Sequence, residues 1–284
     1  MRFAIATSDR YLGVFEALLR AGWEPVKLFS TALNNRTDFN QAVIARAERL
    51  QMEVQLSPIR DRDLEDLADR GCAVLAVAGY NWRIGDWRPH LPYAVNFHSS
   101  LLPEGRGPYP AVRAILENRR LWGVSCHKLE QEFDAGDVLA QESFPTSDDE
   151  CHERLDLKIQ MAAIRLAERV ANRFGELWQG AAPQGPGSYW KRWTEEERTI
   201  DFTRPVEDIL RHARAFGLLE SLARINDVAI HVRRVVGWRE PHRHLPGTLV
   251  HSNNRSLVVA AADGYIGVIE WSLIAAHEAG GIGR

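Results

Sequence analysis

Along the first two thirds of the chain, short apolar runs alternate with longer stretches whose apolar residues recur at helical spacing. Phe3 to Thr7 predicts a first strand, and Val14 to Arg20 a helix closed by Gly22, a residue type suited to a helix end. Pro25 to Phe29 predicts a second strand. A helix over Gln41 to Leu50, a short strand over Val54 to Leu56 and a helix over Asp61 to Arg70, ending at Gly71, follow. Cys72 to Ala78 is apolar without alternation, as expected of a parallel strand covered on both faces. Tyr93 to His98 predicts the next strand. A helix should then start near Pro108 to Ala111, where prolines suit a first turn. Val124 to Leu129 and Val138 to Phe144 predict two more strands. A long helix over Asp149 to Phe174 carries Leu155, Ile159, Ala162, Ala163, Leu166 and Val170 on one stripe. Strands alternating with helices predict an α/β fold with a doubly wound, mostly parallel, Rossmann-like sheet. Ligands of such sheets bind beyond the carboxyl ends of the strands.

The pattern breaks at Gln179 to Ser188, where Gly180, Pro183, Gly185, Pro186 and Gly187 predict a linker. After it, a helix over Val206 to Phe216 is followed by short strands over Val228 to Val236, Gly247 to His251, Leu257 to Ala261 and Tyr265 to Trp271. One helix with short strands predicts a small β-barrel. The domains expected are therefore 1–178, a linker at 179–190, and 191–284, with Ala275 to Arg284 as a frayed tail.

Composition adds exclusions. With 284 residues, 45% hydrophobic and 26% charged, the chain has ordinary globular make-up and can bury one large core or two modest ones. A net charge of -3 argues against binding nucleic acid by bulk electrostatics, though not against a local basic face. Three scattered cysteines, Cys72, Cys126 and Cys151, form neither a disulfide framework nor a zinc motif, and the first and second sit in apolar strands as small buried thiols. His242-x-His244 has ligand-like spacing but lies among loop residues, and no metal is expected. No run reaches membrane-spanning length. Met1-Arg2 leads straight into a core strand, too short for a signal peptide, so the cytoplasm is the expected location and no membrane partner is expected.

The chemistry concentrates at Asn96-Phe97-His98, at Ser100-Leu101-Leu102-Pro103 and at Asp134-Ala135-Gly136-Asp137. On a strand, Asn96 and His98 emerge on the same face. An amide donor can stabilise a developing oxyanion, and an imidazole can move a proton or share that charge. Asp134, in a Gly-containing loop, could fold back over the strand end and orient the imidazole. Asp137 reads as loop stabilisation, while His127 fits a site-lining residue and a satisfied core histidine equally.

The ordered set N-x-H, S-L-L-P and D-x-G-D, with Gly107-Pro108 and Gly123-Val124-Ser125 between them, resembles the folate-dependent formyltransferases. Asp201-Phe202, Arg204-Pro205 and Arg214-Ala215-Phe216 resemble the carboxyl-terminal, OB-like barrel domain of methionyl-tRNA formyltransferases. The resemblance implies transfer of a formyl group from 10-formyltetrahydrofolate without a metal, with Asn96, His98 and Asp134 catalytic. It places the folate between Tyr80, Asn81, Trp82, Arg83 and Ile84 on one side and Phe133, Ala135, Gly136 and Asp137 on the other. It borders the acceptor with Asp9, Arg10, Tyr11, Ser100, Leu101, Leu102, Arg106 and Tyr109.

Three branches of the resemblance differ in their acceptor. Thr7 to Tyr11 lacks the glycine nest that a ribonucleotide phosphate needs. The loop Ser30 to Arg36 offers one arginine and no lysine where methionyl-tRNA formyltransferases carry a basic loop, and Gly217-Leu218-Leu219-Glu220 replaces that branch's Asn-, Pro- and Trp-rich segment. Against this, Arg204 to Arg255 holds nine arginines and five acidic residues. The expected acceptor is a small-molecule amine, an amino-sugar nucleotide or an amino-acid-type or hydroxylated amine. The initiator tRNA is the alternative; formyltetrahydrofolate hydrolysis and a non-catalytic RNA-binding role stand further off. Exposed strands of the barrel leave room for a homodimer.

Overall fold

A computed structural model of the chain describes residues 1–32 and 39–274. The chain divides into two compact units. The first comprises Met1–Pro110, Leu121–Pro145 and Asp156–Trp190; the second comprises Ala111–Arg120, Thr146–Leu155 and Lys191–Arg284.

In the first unit the elements run β1 (Arg2–Thr7), α1 (Leu12–Arg20), β2 (Glu24–Phe29), α2 (Gln41–Arg49), β3 (Glu53–Gln55), α3 (Asp61–Asp69), β4 (Val74–Ala78) and β5 (Tyr93–His98). After α4 (Pro110–Leu116), which belongs to the second unit from Ala111 on, come β6 (Leu121–Lys128), β7 (Val138–Pro145), α5 (His152–Asn172), part of the first unit from Asp156 on, and α6 (Phe174–Gln179). The seven strands lie in the order β3-β2-β1-β4-β5-β6-β7. Every pairing from β3 to β5 is parallel, and β6 and β7 are added antiparallel. This is the Rossmann-like sheet the pattern predicts. The chain winds outward from β1 in both directions, so the loops after β1, β4 and β5 share one edge.

Hydrophobic burial fixes that arrangement. Along β1, Phe3 and Ile5 point to one face while Ala4 and Ala6 point to the other, and all four are fully buried. Phe3 meets Phe15 of α1 and Trp23 edge-on at ring distances of 6.0 and 5.8 Å. Ala4 and Ala6 belong to a core with Leu64 and Leu67 of α3 and Leu75 and Val77 of β4. Within this unit α5 buries Ile159, Ala162, Ala163 and Leu166, residues of the predicted stripe. The close approach of α1 to α5 explains Gly13: a Cβ there would stand 2.5 Å from Ile164. The thiols of Cys72 and Cys126 are buried as expected.

The second unit contains α7 (Glu195–Arg198), α8 (Val206–Phe216), β8 (Ser221–Ile225), β9 (Val228–Arg239), β10 (Leu249–Ser252), β11 (Leu257–Ala260) and β12 (Gly264–Leu273). Its five strands are antiparallel in the order β10-β11-β12-β9-β8. Among the described residues no pairing joins the outer strands β10 and β8. Val206 and Ile209 of α8 cover a core built from Ala223, Ile225, Ile230, Val232, Val259, Ile266 and Val268. The sequence pattern misses β8, because Ala and Arg dilute its strand signal, and α7, a single turn. The expected tail over Ala275 to Arg284 and most of the Ser30 to Arg36 loop lie outside the described residues.

Asp9 ties two parts of the parallel sheet together. Its carboxylate oxygens accept the N–H groups of Ala42 and Val43, at 3.0 and 2.8 Å, and so cap α2 from a distant loop. Replacing this cap (Asp9→Ala) should lower stability by about 0.5–2 kcal/mol, read as a shift in the denaturation midpoint. Because both oxygens are engaged in the cap, the acceptor KM should stay unchanged.

Candidate active site

Two neighbouring strands supply most of the site. Asn96 and His98 stand two residues apart on β5, and the antiparallel register sets His127 of β6 directly opposite Asn96 and Ser125 opposite His98. Cross-strand partners share a face. His127 therefore shares a face with the two predicted residues and is buried beside Asn96. Ser125 supports the loop beyond β5: its Oγ donates to the Ser100 carbonyl (2.7 Å) and accepts from the Leu102 N–H (3.0 Å).

Asp134 closes the cluster. Its Oδ1 lies 3.3 Å from Nδ1 of His98, 3.3 Å from Nδ2 of Asn96 and 3.6 Å from Nε2 of His127, and its Oδ2 accepts the Gly107 N–H at 2.9 Å. Asp134 thus touches both of the residues expected to act with it. Asp134 reaches this position through a left-handed backbone, φ 57°, which Asp tolerates better than most residues. The turn is tight enough that a Cβ on Gly136 would stand 2.0 Å from the Lys128 carbonyl. Asp137 pairs with Lys128 at 3.0 Å and its carbonyl accepts the Lys128 N–H, the loop-stabilising role expected of it.

Proton positions follow from the acceptors. A carbonyl oxygen can only accept, so Nε2 of His98, 2.8 Å from the Gly105 carbonyl, carries a proton, and Nδ1 faces Asp134. The same logic puts the proton of His127 on Nδ1, which donates to the Lys128 carbonyl at 2.8 Å. Its Nε2 then accepts from Asn96 Nδ2 at 3.1 Å. Burial lowers the pKa of His98, opposed by the Asp134 carboxylate and the Gly105 carbonyl. For Asp134, burial acts upward, but the His98 and His127 rings and the Gly107 N–H outweigh it and hold the carboxyl at about 2. At neutral pH the site holds a carboxylate beside an imidazole that resists taking a second proton.

The expected folate loops are joined to one another. Arg83 donates to the Gln131 carbonyl (2.8 Å) and lies 5.7 Å from the centre of the Phe133 ring. Tyr80 packs edge-on against Trp82 at 5.6 Å, and its hydroxyl accepts the Ile59 N–H at 3.2 Å. Burial pushes that hydroxyl up to about 12. Ile84 is half-buried against the core, Asn81 is exposed, and Phe133 is 52% exposed, leaving an aromatic surface beside the catalytic cluster.

On the acceptor side the structure separates the expected residues. Asp9 caps α2, Tyr11 is buried against Gly79, and Arg10 is ion-paired with Asp156. Ser100 is fully buried, its hydroxyl donating to the Glu104 carbonyl at 2.7 Å. Leu102 is buried and holds the loop through its backbone, its carbonyl accepting from Gln141 at 2.8 Å. These five serve the fold of the two loops. Leu101, Arg106 and Tyr109 remain half-buried along the rim, Tyr109 with φ 56°. Gly105 and Gly107 stand in the stretch expected to border the acceptor, but the sequence does not show that their backbone groups hold His98 and Asp134; a glycine in a loop signals turn geometry but not which bond its peptide makes. Among the described residues no cluster of three or more His, Cys, Asp or Glu is placed to hold a metal. His242 instead directs Nε2 at the Ala261 and Gly264 carbonyls, 3.0 Å from each. No helix among the described residues is long and apolar enough to cross a membrane.

Comparison with known proteins agrees with this geometry. Residues 21–170 match the formyl transferase family and residues 192–278 the formyl transferase C-terminal domain. The methionyl-tRNA formyltransferase of Coprothermobacter proteolyticus is 32% identical over 180 residues, 61% of this chain and 58% of that protein. That of Coxiella burnetii (strain RSA 493 / Nine Mile phase I) is 25% identical over 94% of this chain and 84% of its own length. In fold, the chain is similar to the N-formyltransferase from Helicobacter canadensis, solved with folinic acid and dTDP-3-aminofucose (TM-score 0.69, 14% identity, 95% of this chain and 99% of that one). It is also similar to HypX from Aquifex aeolicus in complex with tetrahydrofolic acid (TM-score 0.63, 17% identity), matching 94% of this chain and 43% of HypX. With the family match alone taking in more than half of the 284 residues, Asn96, His98 and Asp134 among them, the chain belongs to the formyl transferase family.

Proposed function

We propose that this chain transfers the formyl group of 10-formyltetrahydrofolate to a primary or hydroxylated amine of a small molecule, an amino-sugar nucleotide or an amino-acid-type amine. The observation that carries the reading is the convergence of Asn96 and His98 on Asp134, each 3.3 Å from its Oδ1, at the carboxyl end of β5. The pterin lies between the loop Tyr80 to Ile84 and the loop Phe133 to Asp137. The formyl carbon then faces Asn96 and His98.

When the amine attacks, negative charge develops on the formyl oxygen and positive charge on the nitrogen. The Asn96 N–H now directed at Asp134 is held at 3.3 Å, a long bond that a full oxyanion competes for successfully. His98 accepts the amine's proton at Nδ1, the nitrogen not committed to Gly105, and passes it to the departing folate nitrogen. Asp134, ionised throughout, stabilises the imidazolium between those two events. His127 fixes the rotation of the Asn96 amide.

A small acceptor is favoured over tRNA by the charge arrangement of the second unit. Of the nine arginines from Arg204 to Arg255, six are ion-paired to carboxylates of the same unit: Arg204, Arg211, Arg214, Arg233, Arg234 and Arg239. Gly217 to Leu219 forms a tight turn, and Glu220 behind it takes up Arg233 at 3.2 Å. Cations already neutralised release few counterions on meeting phosphate, the main source of affinity for nucleic acid. Formyl transfer to methionyl-tRNA is the second reading, supported by the named relatives and by the C-terminal domain match.

An acceptor screen with 10-formyltetrahydrofolate tests the choice. Amino-sugar nucleotides and amino-acid amines should be formylated with a higher kcat/KM than charged initiator tRNA; efficient formylation of the tRNA would reverse the assignment. Asn96→Ala should lower kcat roughly 100- to 1,000-fold, and His98→Ala roughly 100- to 10,000-fold, in a turnover assay. In wild type, kcat/KM should fall on acidification with an apparent pKa below the ordinary histidine value of 6.5, because burial favours neutral His98. Asp134→Asn removes the charge that supports the imidazolium, so its acid limb should move to still lower pH while the rate drops.

A further inference from the structure

We infer that Gln184, in the glycine- and proline-rich segment after α6, is a positioning residue for the catalytic cluster. The inference rests on the formyl-transfer reading above. The segment does not run as a free linker. It returns to the first unit, pairing Ala182 with Val138 and Tyr189 with Arg106 as isolated bridges, and Trp190 stacks on Trp122 at 5.8 Å with the rings nearly parallel. It lies between the two family matches, which end at residue 170 and resume at 192.

Within this segment Gln184 sits at the point where the Asp134 loop is held. Its Nε2 donates to the Asp134 carbonyl (2.8 Å) and to the Gly136 carbonyl (2.7 Å), using both amide protons on the two residues that flank the turn. Its Oε1 accepts from Nε of Arg106 at 2.9 Å, so the same side chain reaches the rim of the acceptor side. Asp134 needs such support because its backbone is left-handed and its side chain must meet four separate groups, the Asn96 amide, the His98 and His127 rings and the Gly107 N–H. Four residues on, Ser188 secures the other half of the cluster. Its Oγ accepts the Gly105 N–H at 2.8 Å and donates to the Glu104 carboxylate at 2.7 Å, while the Gly105 carbonyl holds His98. A Cβ on Gly187 would meet the Pro103 carbonyl at 2.1 Å, which fixes how closely the segment lies on the loop. Gln184 therefore holds the Asp134 backbone directly, and Ser188 reaches His98 through Gly105.

Removing the amide protons frees the Asp134 loop to relax without touching any reacting atom. The charged and titratable groups facing His98 are Asp134, His127 and Arg10. Of these only Asp134 is carried by the loop that Gln184 holds, so its withdrawal should lower the pKa of His98.

The test uses the full chain with Gln184→Met, which keeps length and loses every hydrogen bond, and Gln184→Glu, which keeps the acceptor for Arg106 but loses both donors. An NMR titration of the His98 ring, assigned with a His98→Gln variant, needs no substrate. Gln184→Met should show a His98 pKa lower by on the order of half a unit, and Gln184→Glu a smaller fall because its added carboxylate acts upward. They should also show a kcat for formyl transfer lower by about tenfold, with KM for the folate within about twofold of wild type. Should both variants keep the wild-type His98 titration and kcat, the inference fails. It also fails if both lose folding in a thermal melt, which would make Gln184 a general fold contact. If instead the wild-type chain transfers no formyl group while the titration shifts as stated, the positioning role stands and the formyl-transfer reading falls.

Discussion

One largely buried carboxylate organises the proposed site. Asp134 gathers the Asn96 amide, the His98 and His127 rings and the Gly107 peptide around its two oxygens. Burying an ion is costly unless it is paired and hydrogen-bonded, and here every partner is fixed by secondary structure or by a loop that is itself bonded. The consequences run outward from that constraint. The three side chains must share a face, which the β5 and β6 register provides; the turn must be left-handed; and the loops after β5 and before β7 must be pinned. The chemistry then depends on the difference between the two ionisable partners, a carboxyl held at about 2 and an imidazole that burial keeps from charging readily. One group is always an anion, and the other is free to take and return a proton.

Much of this was legible in the residues. Strand β5 and helix α8 fall where the hydrophobic pattern puts them, because each is long enough or apolar enough for burial to override local preference. The pairing of Asn96 with His98 follows from the two-residue period of a strand alone. His127 was half legible: its strand was predicted, but the register that seats it opposite Asn96 is a tertiary fact. Asp9 shows the reverse failure. A carboxylate after the first strand has the look of a ligand group, yet it caps a helix more than thirty residues away. Gln184 and Ser188 could not be singled out, since a stretch rich in Gly and Pro carries no periodicity that says where it returns.

The second unit bears on the acceptor. Its five-stranded antiparallel sheet carries an arginine-rich sequence whose positive charge is largely matched by carboxylates within the same unit. Surface ion pairs add little stability. Their effect here is on recognition, because they leave the unit a weaker electrostatic trap for a polyanion than its arginine count suggests. In the proposed reading, specificity for a small amine resides in the first unit, with the half-buried Leu101, Arg106 and Tyr109 near the Asn96, His98 and Asp134 cluster.

The central claim is geometric, and a structure of the chain with 5-formyltetrahydrofolate, a stable relative of the proposed donor, tests it most directly. The account predicts the pterin between the Tyr80 to Ile84 loop and the Phe133 to Asp137 loop, with the formyl oxygen about 3 Å from the Asn96 amide nitrogen and His98 beside it. A folate bound elsewhere on the chain, or bound there with its formyl group turned away from Asn96 and His98, would contradict it.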